Sequence, residues 1–247
     1  MYRFPRVIAI CFATLFALAS GACDSPLAVD TPRNEYVDRV SIPQAELIGE
    51  GVSVILPIDT SGTDTTLQRI PFSIAFVVDA SGSIAVSTAA AFRNGCLAVL
   101  DSMDGIRDEG ALVFYTQTAT LSQGITSQLP LLRSAIGAIP TDGASAMWDG
   151  VYKAMLELQA RGSHARKAVL LFSDGEDNSS TTGTPAKITT LGQSANISVY
   201  SISLRPTIHE AVLQNIVMAT GGKHFSQPTL EQIDGICRET AHTLIRP

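Results

Sequence analysis

Residues 71–83 read PFSIAFVVDASGS, and this stretch is the strongest indication of the fold. The first part is a short apolar run, which is typical of a strand buried on both faces of a parallel sheet. The run stops at Asp79, and two hydroxyl residues follow at Ser81 and Ser83. In open α/β sheets, ligands bind outside the carboxyl ends of the strands. The stretch therefore predicts a central strand with polar side chains at the edge where such sheets bind their ligands.

Strand and helix patterns alternate along the chain after this stretch. Apolar runs at residues 110–115, 167–172 and 197–204 predict further strands. Helical patterns are found at residues 84–103, 129–139, 146–160, from Pro185, and from 230 to about 245. Short connections between alternating strands and helices indicate an α/β fold with a doubly wound, mostly parallel sheet and helices on both faces.

The composition excludes several classes of protein. The chain has 247 residues, of which 45% are hydrophobic and 16% are charged, so it is not disordered throughout. Its formal net charge is −6 and it has no basic run, which argues against nucleic-acid binding. Its four cysteines include no CxxC pair, so a zinc knuckle is not expected.

The N-terminal residues 1–22 have the pattern of a secretory signal peptide. Arg3 and Arg6 supply a positive beginning, and an apolar run follows at residues 7–19. That run is too short to span a bilayer comfortably, and no other stretch is long and apolar enough to do so. The chain is therefore predicted to be secreted across the cytoplasmic membrane.

Cys23 directly follows a run of small residues, 19–22. The arrangement resembles the lipobox of bacterial lipoproteins, which implies a lipidated Cys23 after cleavage. It also implies a membrane-anchored protein that faces the periplasm or the cell exterior. Ser20 departs from the pattern, because lipoproteins usually have Leu at that position. The alternative is a soluble secreted protein that is cleaved near Ala22, with Cys23 incidental.

The remaining chain divides into three parts. Residues 23–34 contain two prolines and little to bury, so they are predicted to be a flexible tether after the lipidated cysteine. Residues 35–70 are interpreted as a short β-containing extension, with candidate strands at 35–42 and 50–58. Residues 71–247 form the main domain, and all the candidate chemistry lies within it.

Two further polar clusters are predicted to meet the one at residues 79–83. Ser145 precedes a predicted helix, and Asp174 follows the strand at 167–172. Because Asp79 and Asp174 both end buried strands, their carboxylates should point into one crevice. With the serine hydroxyls they form an all-oxygen donor set of the kind that Mg²⁺ prefers, and Mn²⁺ or Ca²⁺ are alternatives. Such a set leaves coordination positions open, so the metal would accept a carboxylate from another molecule.

These motifs together resemble the von Willebrand factor type A (vWA) domain family. The match extends from about residue 71 to 245 and rests on VVDASGSI at 77–84, GALVFYTQTATL at 110–121, AMWDGVYKAM at 146–155 and VLLFSDGEDNSS at 169–180. The family's metal-ion-dependent adhesion site carries over onto Asp79, Ser81, Ser83, Ser145 and Asp174. Ser145 stands where the family usually has Thr, so the hydroxyl is kept and a methyl group is lost. The resemblance implies a protein-binding module whose metal captures an Asp or Glu side chain of a partner.

Two other function classes are alternatives to the binding module. A Mg²⁺-dependent phosphatase of the haloacid dehalogenase type would need a second Asp where this chain has Ser81. The loops after the strands also lack a G-x-S-x-G nucleophile elbow, so no enzyme activity is expected. The third interpretation is a structural lipoprotein whose site binds nothing. No small-molecule cofactor is implied by any of the motifs.

The family's layout implies that Cys96 and Cys237 lie on two helices that cover the same sheet face side by side. A secreted protein can form disulfides, so the two cysteines are predicted to form a bridge. The alternative is a pair of buried free thiols, because cysteine is common in protein cores.

Several residues near the candidate site are given structural interpretations. Trp148 could contact a ligand at the rim, but packing at the helix start is favoured. Glu176 and Asp177 could widen an acidic rim, but a solvated turn is favoured. The four histidines have no metal-binding or triad spacing, and structural roles are expected for His164, His209, His224 and His242.

Overall fold

The computed structural model describes residues 46–49, 52–55, 69–140, 143–205 and 209–246. The chain divides into two compact units, Met1–Leu67 and Gln68–Pro247. The described part of the first unit is an antiparallel hairpin of β1 (Glu46–Gly49) and β2 (Val52–Ile55). The predicted strand at 50–58 contains β2, whereas the one at 35–42 lies outside the described residues, as do the signal peptide, Cys23 and the tether.

The second unit contains the predicted alternation of strands and helices. Its elements are β3 (Phe72–Asp79), α1 (Val86–Leu100), β4 (Glu109–Tyr115), β5 (Ala119–Thr126), α2 (Leu129–Gly137), α3 (Met147–Arg161), β6 (Arg166–Ser173), α4 (Pro185–Ala195), β7 (Ile197–Ser203), α5 (Glu210–Thr220), β8 (His224–Ser226) and α6 (Leu230–Ile245). The sheet order is β5-β4-β3-β6-β7-β8, and all neighbours are parallel except β4 and β5. This arrangement confirms the predicted α/β fold with a mostly parallel sheet.

The sheet is centred on β3, the strand that the opening apolar run predicts. All eight of its residues are buried, because helices cover both faces of the sheet. In the parallel register Asp79 lies opposite Tyr115 on β4, and Val78 lies opposite Phe172 on β6. The carboxyl ends of the three central strands therefore meet at one edge of the sheet.

Two apolar layers enclose this sheet. One layer contains side chains of α1, α2 and α6, among them Phe92, Leu132 and Ile233. The other contains side chains of α3, α4 and α5, among them Met155 and Ile188. Both faces of the sheet are thus packed by helices. Among the described residues, no helix is long and apolar enough to cross a membrane.

The two cysteines of this core are free thiols in the structure. Cys96 on α1 and Cys237 on α6 are both buried, and the two helices pack against each other. The structure thus has two thiols where the sequence predicted a bridge between α1 and α6. Burial raises the pKa of Cys237 to about 12 and that of Cys96 well above its ordinary value, so both remain protonated at neutral pH.

At the amino end of the sheet, the buried side chain of Asp108 holds three segments together. Its carboxylate accepts hydrogen bonds from the backbone N–H groups of Phe72 at 3.2 Å and Asp104 at 2.8 Å. The guanidinium of Arg69 donates to the same carboxylate and also to the carbonyl of Ser102. The start of β3 is thereby anchored to the loop before β4.

Candidate metal centre

The candidate site begins at Asp79, the last residue of β3. Asp79 Oδ1 accepts hydrogen bonds from the Ser81 backbone N–H at 2.9 Å and from the Ser81 hydroxyl at 2.6 Å. An Asp that bonds to the backbone two residues later forms a tight local turn, which explains why the chain reverses direction here. The other oxygen, Oδ2, accepts from the Tyr115 hydroxyl at 3.2 Å. The carboxylate is thus held by groups from two adjacent strand ends.

Asp174, which directly follows β6, is joined to Asp79 through two serines. Ser83 Oγ donates to Asp174 Oδ2 at 2.7 Å, and it lies 3.0 Å from Ser81 Oγ. The Asp174 backbone N–H also points to Asp79 Oδ2 at 3.4 Å. The residues Asp79 and Asp174 are only 1% and 2% exposed, respectively. Four of the five predicted ligands therefore form one connected cluster at the carboxyl edge of the sheet.

Ser145, the fifth predicted ligand, lies in a neighbouring loop that contacts this cluster through the backbone. The Gly82 N–H donates to the Gly143 carbonyl at 2.8 Å, which brings the two loops together. The Ser145 hydroxyl donates to the Glu176 carbonyl at 2.7 Å. A hydroxyl that gives its hydrogen to a carbonyl keeps oxygen lone pairs for another ligand. Ser145 is therefore compatible with metal ligation, although its side chain is not hydrogen-bonded to the other four.

The Ser145 backbone is fixed by Asn178 in the loop after Asp174. Asn178 Oδ1 accepts from the Ser145 N–H at 3.0 Å. In return, the Ser145 carbonyl accepts from the Asn178 and Ser179 N–H groups at 2.9 and 3.0 Å. This reciprocal set of bonds makes the Ser145 loop and the loop after β6 one hydrogen-bonded unit.

The same two loops are joined again at the start of α3. The carboxylate of Asp149 accepts from three successive backbone N–H groups, those of Thr181, Thr182 and Gly183. Although partial burial acts in the opposite direction, these hydrogen bonds lower the pKa of Asp149. Asp149 is thus a positioning residue for the loop after β6, a role that the sequence did not suggest.

Asp177 and Trp148 also belong to this junction between the loops. Asp177 Oδ1 accepts from the Trp148 N–H at 3.2 Å and from the Ser180 hydroxyl. Asp177 is half-exposed in the loop after β6, and its carboxylate also bonds to the start of α3. Glu176 is exposed, as expected for a solvated turn. Trp148 packs at the helix start as predicted, 5% exposed and edge-on to the His209 ring.

The charges at the site are unbalanced within the described residues. Burial raises the pKa of Asp79, the hydrogen bonds from Ser81 act in the opposite direction, and the negative charge of Asp174 raises the pKa further. The ion pair found at the two carboxylates joins Arg205 Nη1 to Asp174 Oδ2 over 3.8 Å. Two buried carboxylates with one half-exposed arginine leave room for additional positive charge.

This donor set fits a hard divalent cation. All five predicted ligands offer oxygen atoms, and two of them are carboxylates, which matches the preference of Mg²⁺. Among the residues that the structure describes, no group of three or more His, Cys, Asp or Glu side chains could hold a metal. Metal binding in the described part of this chain would therefore depend on serine hydroxyls as much as on carboxylates.

The comparison with known protein families agrees with this geometry. The model of the von Willebrand factor type A domain matches residues 73–238. The chain belongs to this family. No curated protein sequence matches it. The match confirms the family that the sequence motifs resemble.

Solved structures with the same fold come from distant organisms. An aerotolerance-related membrane protein from Bacteroides fragilis is 14% identical, with a TM-score of 0.56 over 70% of this chain and 99% of that one. Proximal thread matrix protein 1 from the mussel byssus, with zinc in its metal-ion-dependent adhesion site, is 21% identical, with a TM-score of 0.61 over 72% of this chain and 47% of that one. The PilB minor pilin from Streptococcus sanguinis is 14% identical, with a TM-score of 0.56 over 80% and 66%. At these identities the likeness shows the vWA fold alone.

One polar arrangement away from the site was not foreseen from the histidine spacing. Ser201 Oγ lies 2.6 Å from His224 Nδ1, and His224 Nε2 lies 2.9 Å from Glu210 Oε1. The order Ser–His–Glu has the residue types of a hydrolase triad. However, Ser201 is only 1% exposed, so a substrate could not reach its hydroxyl. The arrangement joins β7, β8 and α5, which is the structural role expected for His224.

Proposed function

We propose that this vWA domain is an extracytoplasmic protein-binding module that uses a divalent cation, Mg²⁺ in the first instance, to capture an Asp or Glu side chain of a partner protein. One observation carries the proposal. Two buried carboxylates, Asp79 and Asp174, are linked through the hydroxyls of Ser81 and Ser83 at the carboxyl edge of the sheet. Buried charges are normally paired or bound to metals, and in the part of the chain that the structure describes, this pair of carboxylates has only the half-exposed Arg205 beside it.

Each residue of the site has a distinct part in this proposal. Ser81, Ser83 and Ser145 would supply neutral oxygen atoms, while Asp79 and Asp174 would supply negative charge directly or through water. When bound, the cation supplies a Lewis-acidic position for an anionic oxygen of the partner. The Glu176 carbonyl takes the hydroxyl hydrogen of Ser145, which turns the oxygen lone pairs of Ser145 away from that carbonyl. Tyr115 donates to Asp79 Oδ2 and so restricts the orientation of that carboxylate.

Location outside the cytoplasm rests on the sequence of the N-terminal segment. The signal peptide at residues 1–22 and the lipobox-like position of Cys23 support a membrane-anchored lipoprotein. Cys23→Ser should block lipidation and release the protein from the membrane fraction. If the parent protein is already soluble, and Cys23→Ser changes neither its distribution between fractions nor its mass beyond the substitution itself, the soluble secreted form is favoured instead.

The metal site is tested by calorimetry with Mg²⁺ and Mn²⁺ on the purified protein. Asp79→Ala should abolish binding while the fold is retained, and Ser145→Thr should keep or strengthen it. Asp101→Ala is the matched control, because Asp101 is an acidic residue that pairs with Arg133 away from the site. If Asp79→Ala binds the metals as the parent protein does, the site assignment is wrong.

Capture of a carboxylate is tested with immobilised peptides that present Asp or Glu, and with matched peptides that present Asn or Gln. The metal-loaded protein should be retained on the acidic peptides alone, and a chelator should release it. Equal retention on the amide peptides, or retention that survives the chelator, would contradict the proposed recognition of an acidic side chain.

A further inference from the structure

Arg205 is the basic residue that approaches the candidate metal site. It follows β7, and its Nη1 atom lies 3.8 Å from Asp174 Oδ2. The same oxygen accepts the hydroxyl of Ser83, so it is the oxygen that faces the serine cluster. The side chain of Arg205 is 57% exposed, whereas that of Asp174 is 3% exposed. A solvent-accessible positive charge thus stands beside a buried negative charge of the proposed site.

The separation of 3.8 Å is longer than a hydrogen bond, so the guanidinium is held by charge attraction rather than by a directed contact. The Arg69 side chain is 23% exposed, donates to the fully buried Asp108 and is also fixed by the Ser102 carbonyl. Arg69 is built into the fold, whereas the half-exposed Arg205 can leave Asp174 without breaking a hydrogen bond to it.

From these contacts we infer that Arg205 is a resident counter-ion of the site, which competes with the divalent cation for Asp174 and lowers the affinity of the site for metal. The inference rests on the proposed metal site and adds a residue that sets its affinity. A cation bound among the oxygens of Asp174 and Ser83 would lie close to the guanidinium, and like charges at such distances repel. Binding of the cation would therefore require Arg205 to move away from Asp174.

The inference predicts a gain of metal affinity from the loss of a side chain. Arg205→Gln should bind Mn²⁺ about 2–5-fold more tightly than the parent at low ionic strength, the range expected for removal of an exposed charge pair. The gain should shrink in about 0.5 M salt, because exposed charges are screened there. Arg205→Lys keeps the charge and should remain close to the parent.

The matched control is Arg133→Gln. Arg133 is 52% exposed and pairs with Asp101, so its replacement makes the same change in net charge at similar exposure but away from the site. Its Mn²⁺ affinity should equal that of the parent. Thermal unfolding in a chelator gives a second measurement: Arg205→Gln should lower the melting temperature without metal and increase the shift that Mn²⁺ produces.

The outcomes separate this inference from the proposed function. If the parent binds Mn²⁺ and Arg205→Gln binds it no more tightly than Arg133→Gln does, the role of Arg205 is wrong and the metal site stands. If neither the parent nor Arg205→Gln binds the metal, both the role of Arg205 and the proposed metal site are overturned. The inference is supported if Arg205→Gln binds Mn²⁺ more tightly than the parent does and Arg133→Gln binds it as the parent does.

Discussion

Two buried aspartates at opposite ends of the sheet have different bonding partners. Asp108, at the amino end, is 0% exposed and accepts two backbone hydrogen bonds and the guanidinium of Arg69. Asp79, at the carboxyl end, is 1% exposed and accepts hydrogen bonds from Ser81 and Tyr115, with a second carboxylate as its neighbour. Among the described residues, Asp108 has a cation of its own and Asp79 has none.

The difference separates a structural charge from one that is available for binding. A buried carboxylate with its cation and hydrogen bonds in place is complete, and removing either partner damages the fold. A buried carboxylate without a cation opposes folding through its desolvation, which is why burial raises the pKa of Asp79. Such a group is compatible with the fold at neutral pH, and a cation from solution would relieve its cost.

The largest expected effect is the loss of stability in Asp108→Asn. The neutral amide would leave the Arg69 guanidinium without its counter-ion at the amino end of the sheet. Removal of one partner of a buried ion pair costs 3–5 kcal/mol, and because Arg69 is partly exposed we expect about 3 kcal/mol. Urea unfolding measures this loss, and Mg²⁺ affinity should not change. A loss below about 1 kcal/mol would mean that Asp108 is no more structural than Asp79.

Asp79→Asn makes the same chemical change at the carboxyl end of the sheet. We expect the opposite result, with stability kept and metal binding lost. In a chelator its free energy of unfolding should equal that of the parent or exceed it by up to about 1 kcal/mol, because an unpaired buried charge is removed. Metal binding should be lost, so Mg²⁺ should stabilise the parent and leave the variant unchanged. If Asp79→Asn costs as much as Asp108→Asn, the distinction between the two carboxylates fails.

The pH dependence of stability offers a smaller effect with a defined sign. A raised pKa means that folded Asp79 holds its proton at pH values where the unfolded chain, with its ordinary value of 3.8, has lost it. The proton on Asp79 therefore stabilises the folded state below pH 3.8, and this stabilisation is lost as the pH rises through the folded-state pKa. For the metal-free protein, the free energy of unfolding of the parent relative to Asp79→Asn should decrease as the pH rises above about 3.8. A difference that increases with pH would contradict the raised pKa.

The fold could be predicted because the sequences of buried parallel strands are short apolar runs. β3 and β6 end within one residue of the predicted limits, since an acidic or polar residue closes each run. β8 was not predicted, because three residues at the sheet edge are too few to give a pattern. β1 fell between the two predicted strands of the N-terminal extension, and its backbone pairing is not visible in the residue pattern.

Most of the candidate site residues could be named from the sequence because they follow strand ends, whereas Ser145 was named from the loop before a helix and from the family resemblance. Asp79 and Asp174 each come directly after an apolar run, and the two serines lie within four residues of Asp79. Tyr115 could have been found as well, because it is the polar last residue of the predicted strand at 110–115. Arg205 could not, since its approach to Asp174 depends on β7 lying next to β6 in the sheet. Contacts between loops depend on strand order, which residue spacing does not record.

The comparison also applies to a neutral group of the site, Ser145. Its backbone is held by Asn178 rather than by a side chain of the cluster. Asn178→Ala removes the acceptor for the Ser145 N–H but keeps the backbone N–H that donates to the Ser145 carbonyl. Without this bond, the Ser145 loop of the metal-free variant relaxes away from its present position, and metal binding has to restore it. The restoration costs up to about 1 kcal/mol, the value of one hydrogen bond of this kind, so we expect Mn²⁺ affinity to fall by up to about 5-fold. The metal-free protein should lose little stability, because Asn178 is exposed. Asn178→Asp keeps an acceptor oxygen and should restore most of the affinity.

The matched control is the neighbouring Ser179→Ala, which keeps the N–H that donates to Ser145 and loses a hydroxyl that bonds to Asn178 Oδ1. Calorimetry should find its Mn²⁺ affinity close to that of the parent. If Asn178→Ala also binds as the parent does, the position of Ser145 does not depend on Asn178 or Ser145 contributes nothing to metal binding. Ser145→Ala decides between these two explanations, because it removes the hydroxyl itself. A loss of affinity in Ser145→Ala alone would mean that the ligand is real and that other bonds of the loop suffice to place it.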